Sequence, residues 1–247
     1  MTERRIGTKE EWQAERDDLL KEEKELTHRN DELTRKRQEL PWVAVEKDYA
    51  FETADGTKSL ADLFDGRSQL MIYHFMFGPG YEAGCTVCSS IADNLNANAP
   101  HLKAGDVTVL LASRAPLDRL LAYKERMAWD NLDWVSTVGD EFNRDLGFLN
   151  TEEELTPFLE SGEIPVTVEK MAERSGTDVK GYVTEVPGMS VYTLSDGTVY
   201  RTYVTTARGL EVPAMGYYSL LDRTPKGRHE DGDRPIWIRR HDEYVAA

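Results

Sequence analysis

Two cysteines in 247 residues fall three apart, in the run Gly84-Cys85-Thr86-Val87-Cys88-Ser89. Nothing else in the chain constrains its fold as tightly. Chance would space two cysteines this way in about one chain in a hundred, so the pair reads as a redox or metal motif. It does not read as a disulfide scaffold. Leu70 to Phe77 is aliphatic and aromatic and predicts a central strand, which Gly78-Pro79-Gly80 breaks. Thr86 to Asn98 predicts a helix, with Ile91 and Leu95 in i, i+4 contact. A helix start presents unpaired N–H groups and a partial positive charge, which favour a thiolate at the first cysteine. One helical turn brings the second thiol within reach. Cys85 is therefore the candidate nucleophile and Cys88 the candidate resolving thiol. That chemistry requires one sulfur to be accessible. The bland alternative is a pair of buried, inert cysteines, which have no reason to sit at a helix start.

The rest of the chain supplies an α/β frame. Thr8 with Glu11 forms a capping box opening a helix that Pro41 ends. Its apolar residues Trp12, Leu19, Leu26, Leu33 and Leu40 step by seven, but the second seam is mostly charged. A two-stranded zipper needs both seams apolar, so the stripe is expected to pack on its own domain or on a partner subunit, as in a homodimer. Short strands are expected at Trp42 to Val45 and Tyr49 to Thr53, with a short helix at Ser59 to Phe64. A second buried strand covers Asp106 to Ala112. A helix over Leu117 to Trp129, a strand at Val135 to Val138 and a helix at Glu141 to Leu146 follow. This alternation favours an α/β sheet. Asn150 to Glu185 is acidic, weakly periodic and interrupted by Pro157, Pro165 and Gly181. It reads as an insertion, with a lid as its candidate role. Met189 to Leu194 and Val199 to Val204 predict a hairpin across Asp196-Gly197. Leu210 to Leu221 reads as partly helical, and the charged tail holds Trp237 and Tyr244. The expected domains are a helical extension over 1–40, an α/β domain over 41–206 and a packed extension over 207–247.

Composition excludes several classes. The formal net charge of -15 disfavours non-specific nucleic-acid binding and anionic membrane surfaces. The N-terminus lacks a signal-peptide pattern, and the longest apolar run is too short to span a bilayer. A cytoplasmic location is the expectation. A phosphate loop and a Gly-x-Ser-x-Gly turn are both missing. No metal or cofactor is expected, because one CxxC supplies two ligands where structural zinc takes four. A copper carrier would need His74 or His101 as a third ligand, and His74 reads better as a satisfied strand histidine. Glu82, three residues before Cys85, is a candidate proton relay, with a solvated loop carboxylate as its plain alternative. Tyr73, Tyr81 and Phe77 are candidates to line the site.

Several stretches together resemble the thioredoxin-like proteins of the domain-of-unknown-function 899 family. They include Leu40-Pro41-Trp42-Val43, Tyr73-His74-Phe75-Met76-Phe77-Gly78-Pro79 and Gly84-Cys85 with Cys88. Near the end come Leu221-Asp222-Arg223-Thr224-Pro225-Lys226-Gly227-Arg228 and Arg239-Arg240-His241-Asp242-Glu243-Tyr244. The resemblance implies a thioredoxin-like mixed sheet and dithiol-disulfide exchange with a protein or low-molecular-weight thiol. Thr86-Val87 stands where the family often has Pro-Ser. The resemblance also makes Pro187 a candidate substrate-positioning residue, in the place where thioredoxin-like domains carry a cis-proline facing the cysteines. An ordinary trans-proline starting a strand is the alternative. Other readings are a thioredoxin-fold peroxidase, which Glu82 in place of a hydroxyl residue argues against, and a non-catalytic partner-binding protein.

Overall fold

Thr8 opens the first helix, α1 (Lys9–Gln38), as the sequence requires. Its hydroxyl accepts the Glu11 N–H while the Glu11 carboxylate accepts the Thr8 N–H. Arg35, Lys36 and Arg37 occupy the last turn, where the helix dipole favours cations. None of the thirty residues of α1 is buried. The computed structural model describes residues 5–206, 214–228 and 236–244. The chain divides between Pro41 and Trp42 into two units, α1 belonging to the first.

The second unit is built on one mixed sheet. Its strands are β1 (Val43–Ala44), β2 (Ala50–Thr53), β3 (Gly56–Ser59), β4 (Gln69–His74), β5 (Val107–Ser113), β6 (Asp133–Thr137), β7 (Gly188–Ser195) and β8 (Thr198–Thr206). Their order across the sheet is β1-β8-β7-β4-β5-β6-β2-β3. β4, β5 and β6 run parallel, while β7 is antiparallel to β4 and to β8. Helices α2 (Thr86–Ala104) and α3 (Leu117–Arg126) link the parallel strands. A parallel β–α–β unit continued by an antiparallel hairpin on the other side of the first strand is a thioredoxin-like arrangement.

β4 is central and its side chains alternate between two cores. Leu70 and Ile72 join the back core with Phe51, Leu63, Leu110 and Val135. Tyr73 faces the front core with Val109, Leu111, Trp134 and both cysteines. Burial on both faces explains why β4 and β5 read as nearly unbroken apolar runs. The β7–β8 hairpin turns at Asp196-Gly197, with φ of 49° and 78°. Two consecutive positive values suit the twist of flanking strands, and glycine tolerates the second at no steric cost.

The elements differ from the sequence reading in instructive places. β3 was not expected, because an exposed edge strand of Gly, Thr, Lys and Ser carries no apolar alternation. Instead of a helix at Ser59 to Phe64 there is a 3-10 turn, Asp62–Phe64. α2 runs past Asn98 through Pro100. Proline cannot donate to the carbonyl four residues back, and that carbonyl, on Asn96, accepts Asn131 Nδ2 instead at 3.3 Å. The Asn150 to Glu185 segment is helical, following α4 (Glu141–Asp145), and comprises α5 (Glu152–Glu160), α6 (Val166–Ser175) and α7 (Val179–Thr184). It leaves and rejoins the domain at one point, where Leu149 and Glu185 form an antiparallel bridge. In the tail, α8 (Gly216–Leu221) is described. Residues 210–213 of the helix expected there lie outside the described residues.

Candidate functional site

Cys85 is the N-cap of the 19-residue helix α2. Its own N–H donates to the Met76 carbonyl at 3.2 Å, which ties it to the chain leaving β4. Its carbonyl accepts both the N–H and the hydroxyl of Ser89, at 2.9 and 2.8 Å. The preceding residue has to be glycine for space: a Cβ on Gly84 would stand 2.6 Å from the Phe75 ring. The two cysteines are free thiols.

The sulfurs have opposite tendencies. The Cys88 thiol, the Tyr182 hydroxyl and the N–H groups of Cys88 and Val87 all favour the charged form of the Cys85 sulfur. Against the cost of burial, these donors pull the Cys85 thiol down to about 6. Burial pushes the Cys88 thiol well up, and the neighbouring Cys85 charge holds its proton in place. The pair thus shares one proton, held on Cys88.

Two tyrosines flank the sulfurs. The Tyr182 hydroxyl lies 3.3 Å from Cys85 Sγ, and its ring stacks on Tyr81 with centroids 6.2 Å apart. The Tyr81 hydroxyl in turn donates to the Tyr182 carbonyl at 2.9 Å. Tyr73 approaches Cys88 from β4, close enough to steady a thiolate there. Its buried hydroxyl nonetheless has no hydrogen-bond partner of regular geometry.

The sequence reading requires an accessible sulfur, and here the structure differs: Cys85 and Cys88 are each 1% exposed. The cause is α7, which brings Tyr182, itself partly exposed, against Cys85. Glu82 is exposed, and among the described residues its carboxylate bonds to neither thiol. Its backbone N–H, like that of Ala83, donates to the Ser175 carbonyl at the end of α6. The solvated-loop alternative fits Glu82 better than a relay. Pro187 immediately precedes β7, whose Gly188 lies beside His74 at the end of β4, but among the described residues no peptide bond is cis. The side chain that meets Cys85 from that neighbourhood is Tyr182.

His74 points the other way. Its Nδ1–H donates to Asn143 Oδ1 at 3.0 Å and its Nε2 accepts the Ser190 hydroxyl at 2.8 Å. Burial holds it down to about 3, so the ring is neutral. With both nitrogens engaged, it is not a third ligand for the cysteines, and His101 is exposed on the last turn of α2. Among the described residues no group of three His, Cys, Asp or Glu side chains is placed to hold a metal ion. Nor, among them, is any helix long and apolar enough to cross a membrane.

A family model described as a bacterial protein of unknown function, DUF899, matches residues 1–244. The chain belongs to the DUF899 family. No curated protein matches this DUF899 chain. Solved structures similar to it include Plasmodium yoelii thioredoxin peroxidase I, at 14% identity and TM-score 0.42, covering 68% of this chain and 80% of that one. Mycobacterium tuberculosis peroxidoxin BcpB is similar at 12% identity and TM-score 0.41, covering 68% and 84%. The mitochondrial 2-cys peroxiredoxin of Plasmodium falciparum is similar at 11% and 0.42, covering 73% and 92%.

Sequence reasoning missed Tyr182 and Arg240 as parts of the site. Tyr182 carries no local signal, since it lies in the weakly periodic insertion. Arg240 lies in a tail motif that stood out only through the family resemblance. It is 4% exposed and donates to the Gly84 carbonyl at 2.6 Å.

Proposed function

We propose that this protein is a dithiol redox protein in which Cys85 attacks and Cys88 resolves. The observation that carries the reading is Cys85 as helix N-cap, with Cys88 one turn along the same helix and the Tyr182 hydroxyl 3.3 Å from the Cys85 sulfur. The Cys85 thiolate attacks one sulfur of a disulfide RSSR, forming a mixed disulfide and releasing one RS⁻. Cys88 then gives up its proton and attacks Cys85 Sγ, releasing the second RS⁻. Two protein thiols are oxidised to one disulfide and one external disulfide is reduced to two thiols.

Burial of both sulfurs favours a low-molecular-weight partner over a protein, because a small molecule needs less of the cover displaced. The same burial favours a second reading, hydroperoxide reduction. There the thiolate attacks the terminal oxygen of ROOH, giving a sulfenic acid and RO⁻, which takes a proton from water to leave as ROH, and Cys88 condenses with the sulfenic acid to release water.

Reaction of the reduced Cys88→Ser variant with oxidised glutathione or hydrogen peroxide, followed by mass spectrometry, tests both. The expected result is a stable glutathione adduct on Cys85 that the unaltered protein converts to an internal disulfide. Faster disulfide formation with peroxide than with oxidised glutathione would favour the second reading. Trapping only in Cys85→Ser would reverse the two roles, and no reaction at either cysteine would remove the proposal.

A further inference from the structure

The strongest unexplained group near the sulfurs is a buried cation from the tail. Arg240 Nη2 donates to the Gly84 carbonyl at 2.6 Å and to the Arg174 carbonyl, at the end of α6, at 2.9 Å. Its Nε donates to the Tyr123 hydroxyl at 2.6 Å, and its Nη1 to Glu243 Oε1 at 2.8 Å. The Tyr123 hydroxyl is also 3.0 Å from Ser89 Oγ, which bonds the Cys85 carbonyl. α6 reciprocates: Arg174 Nη1 donates to the Ile236 carbonyl at 2.8 Å. The turn carrying Arg240 is itself held, since Arg126 pairs with Asp242 at 2.8 Å and Glu243 at 3.0 Å.

We propose that Arg240 is a positioning residue for Cys85, clamping the Gly84 carbonyl and the end of α6 in one guanidinium fork. The proposal rests on the reading of Cys85 as the attacking thiol. Gly84 immediately precedes the N-cap, so holding its carbonyl fixes the peptide from which the Cys85 side chain departs. The Tyr123–Ser89 pair fixes the carbonyl on the other side. The sulfur is thereby held at the start of α2. Planar geometry is essential, because a lysine ammonium, with three N–H groups, cannot satisfy four separate acceptors in these directions. The titratable groups around Cys85 are Cys88 on α2, Tyr73 on β4, Tyr81 in the loop and Tyr182 on α7. Around Arg240 they are Glu243 in its own turn, Tyr123 and Arg126 on α3, and Arg174 on α6.

The test is the pH profile of iodoacetamide alkylation of Cys85 in the full-length reduced protein, read site by site by mass spectrometry. The variants are Arg240→Lys and, as a neighbouring tail control, Arg239→Lys, with folding followed by circular dichroism. The unaltered protein should show a midpoint near 6. Arg240→Lys should raise it by about one pH unit, slowing alkylation at pH 5 by about tenfold, while Arg239→Lys leaves it in place. An unchanged midpoint in a folded Arg240→Lys protein overturns the clamp and leaves the dithiol reading standing. Equal shifts in both variants also overturn it, since the tail would then act as a whole. An ordinary thiol midpoint in the unaltered protein defeats the dithiol reading itself. Should Arg240→Lys fail to fold, Tyr123→Phe reads the same chain of contacts through Ser89. A raised midpoint there supports the clamp and an unchanged one overturns it.

Discussion

Tyr73 and His74 are neighbours on β4 and face opposite sides of the sheet, and each sits in a buried polar cluster. Behind the sheet, His74 is saturated: both ring nitrogens are bonded and the ring lies between Phe142 and Phe148, with centroids 5.3 and 4.0 Å away. In front, the Tyr73 hydroxyl lacks a regular partner and two sulfurs share a proton. The back cluster contains the Ser–His–Asn order of a nucleophile, base and orienter, yet Ser190 is 0% exposed and packed in the sheet. Chemistry is expected where buried polar groups are left incompletely paired, and rigidity where they are complete. By that criterion His74 holds the fold, and the front cluster is where the proposed dithiol chemistry would act.

The contrast can be broken from either side. The largest effect is expected from His74→Leu, which leaves Asn143 and Ser190 buried without their partner. It should cost about 2–4 kcal/mol in urea unfolding, while the alkylation midpoint of Cys85 stays near 6. A shift of both quantities together would show that the two faces act as one. A smaller effect is expected from Tyr182→Phe, which removes one donor to the thiolate. The Cys85 midpoint should rise by about half a pH unit, because the thiolate is the form that gains the bond, with stability changed by less than about 1 kcal/mol. An unmoved midpoint would make Tyr182 a cover and nothing more. Least of all should follow from Tyr73→Phe. Removing an unpartnered hydroxyl is expected to leave stability within about 0.5 kcal/mol or raise it, and a clear loss in urea unfolding would place a partner on it.

The sequence shows the front half of this contrast and hides its surroundings. β4, the break at Gly78-Pro79-Gly80 and the helix start at Cys85 are local signals, each written in consecutive residues. So is the Asp196-Gly197 turn. Tyr182 meets Cys85 from 97 residues away and Arg240 meets Gly84 from 156 residues away. Contacts of that range follow from topology, and no periodicity encodes them. The burial of the sulfurs was illegible for the same reason. The cover over Cys85 includes α7, six residues long with none of them buried, so it left no apolar period to read.

The single bridge between Leu149 and Glu185 has a consequence for how such a protein changes over time. A segment whose two ends already touch contributes almost nothing to the geometry of the sheet, and even doubling such an excursion adds only about 0.6 kcal/mol of closure entropy. The roof over the sulfurs can therefore be rebuilt, or exchanged for another, while the strands beneath keep their register. The two sulfurs and the roof above them lie in separate stretches of chain, with Tyr182 the point where the one meets the other.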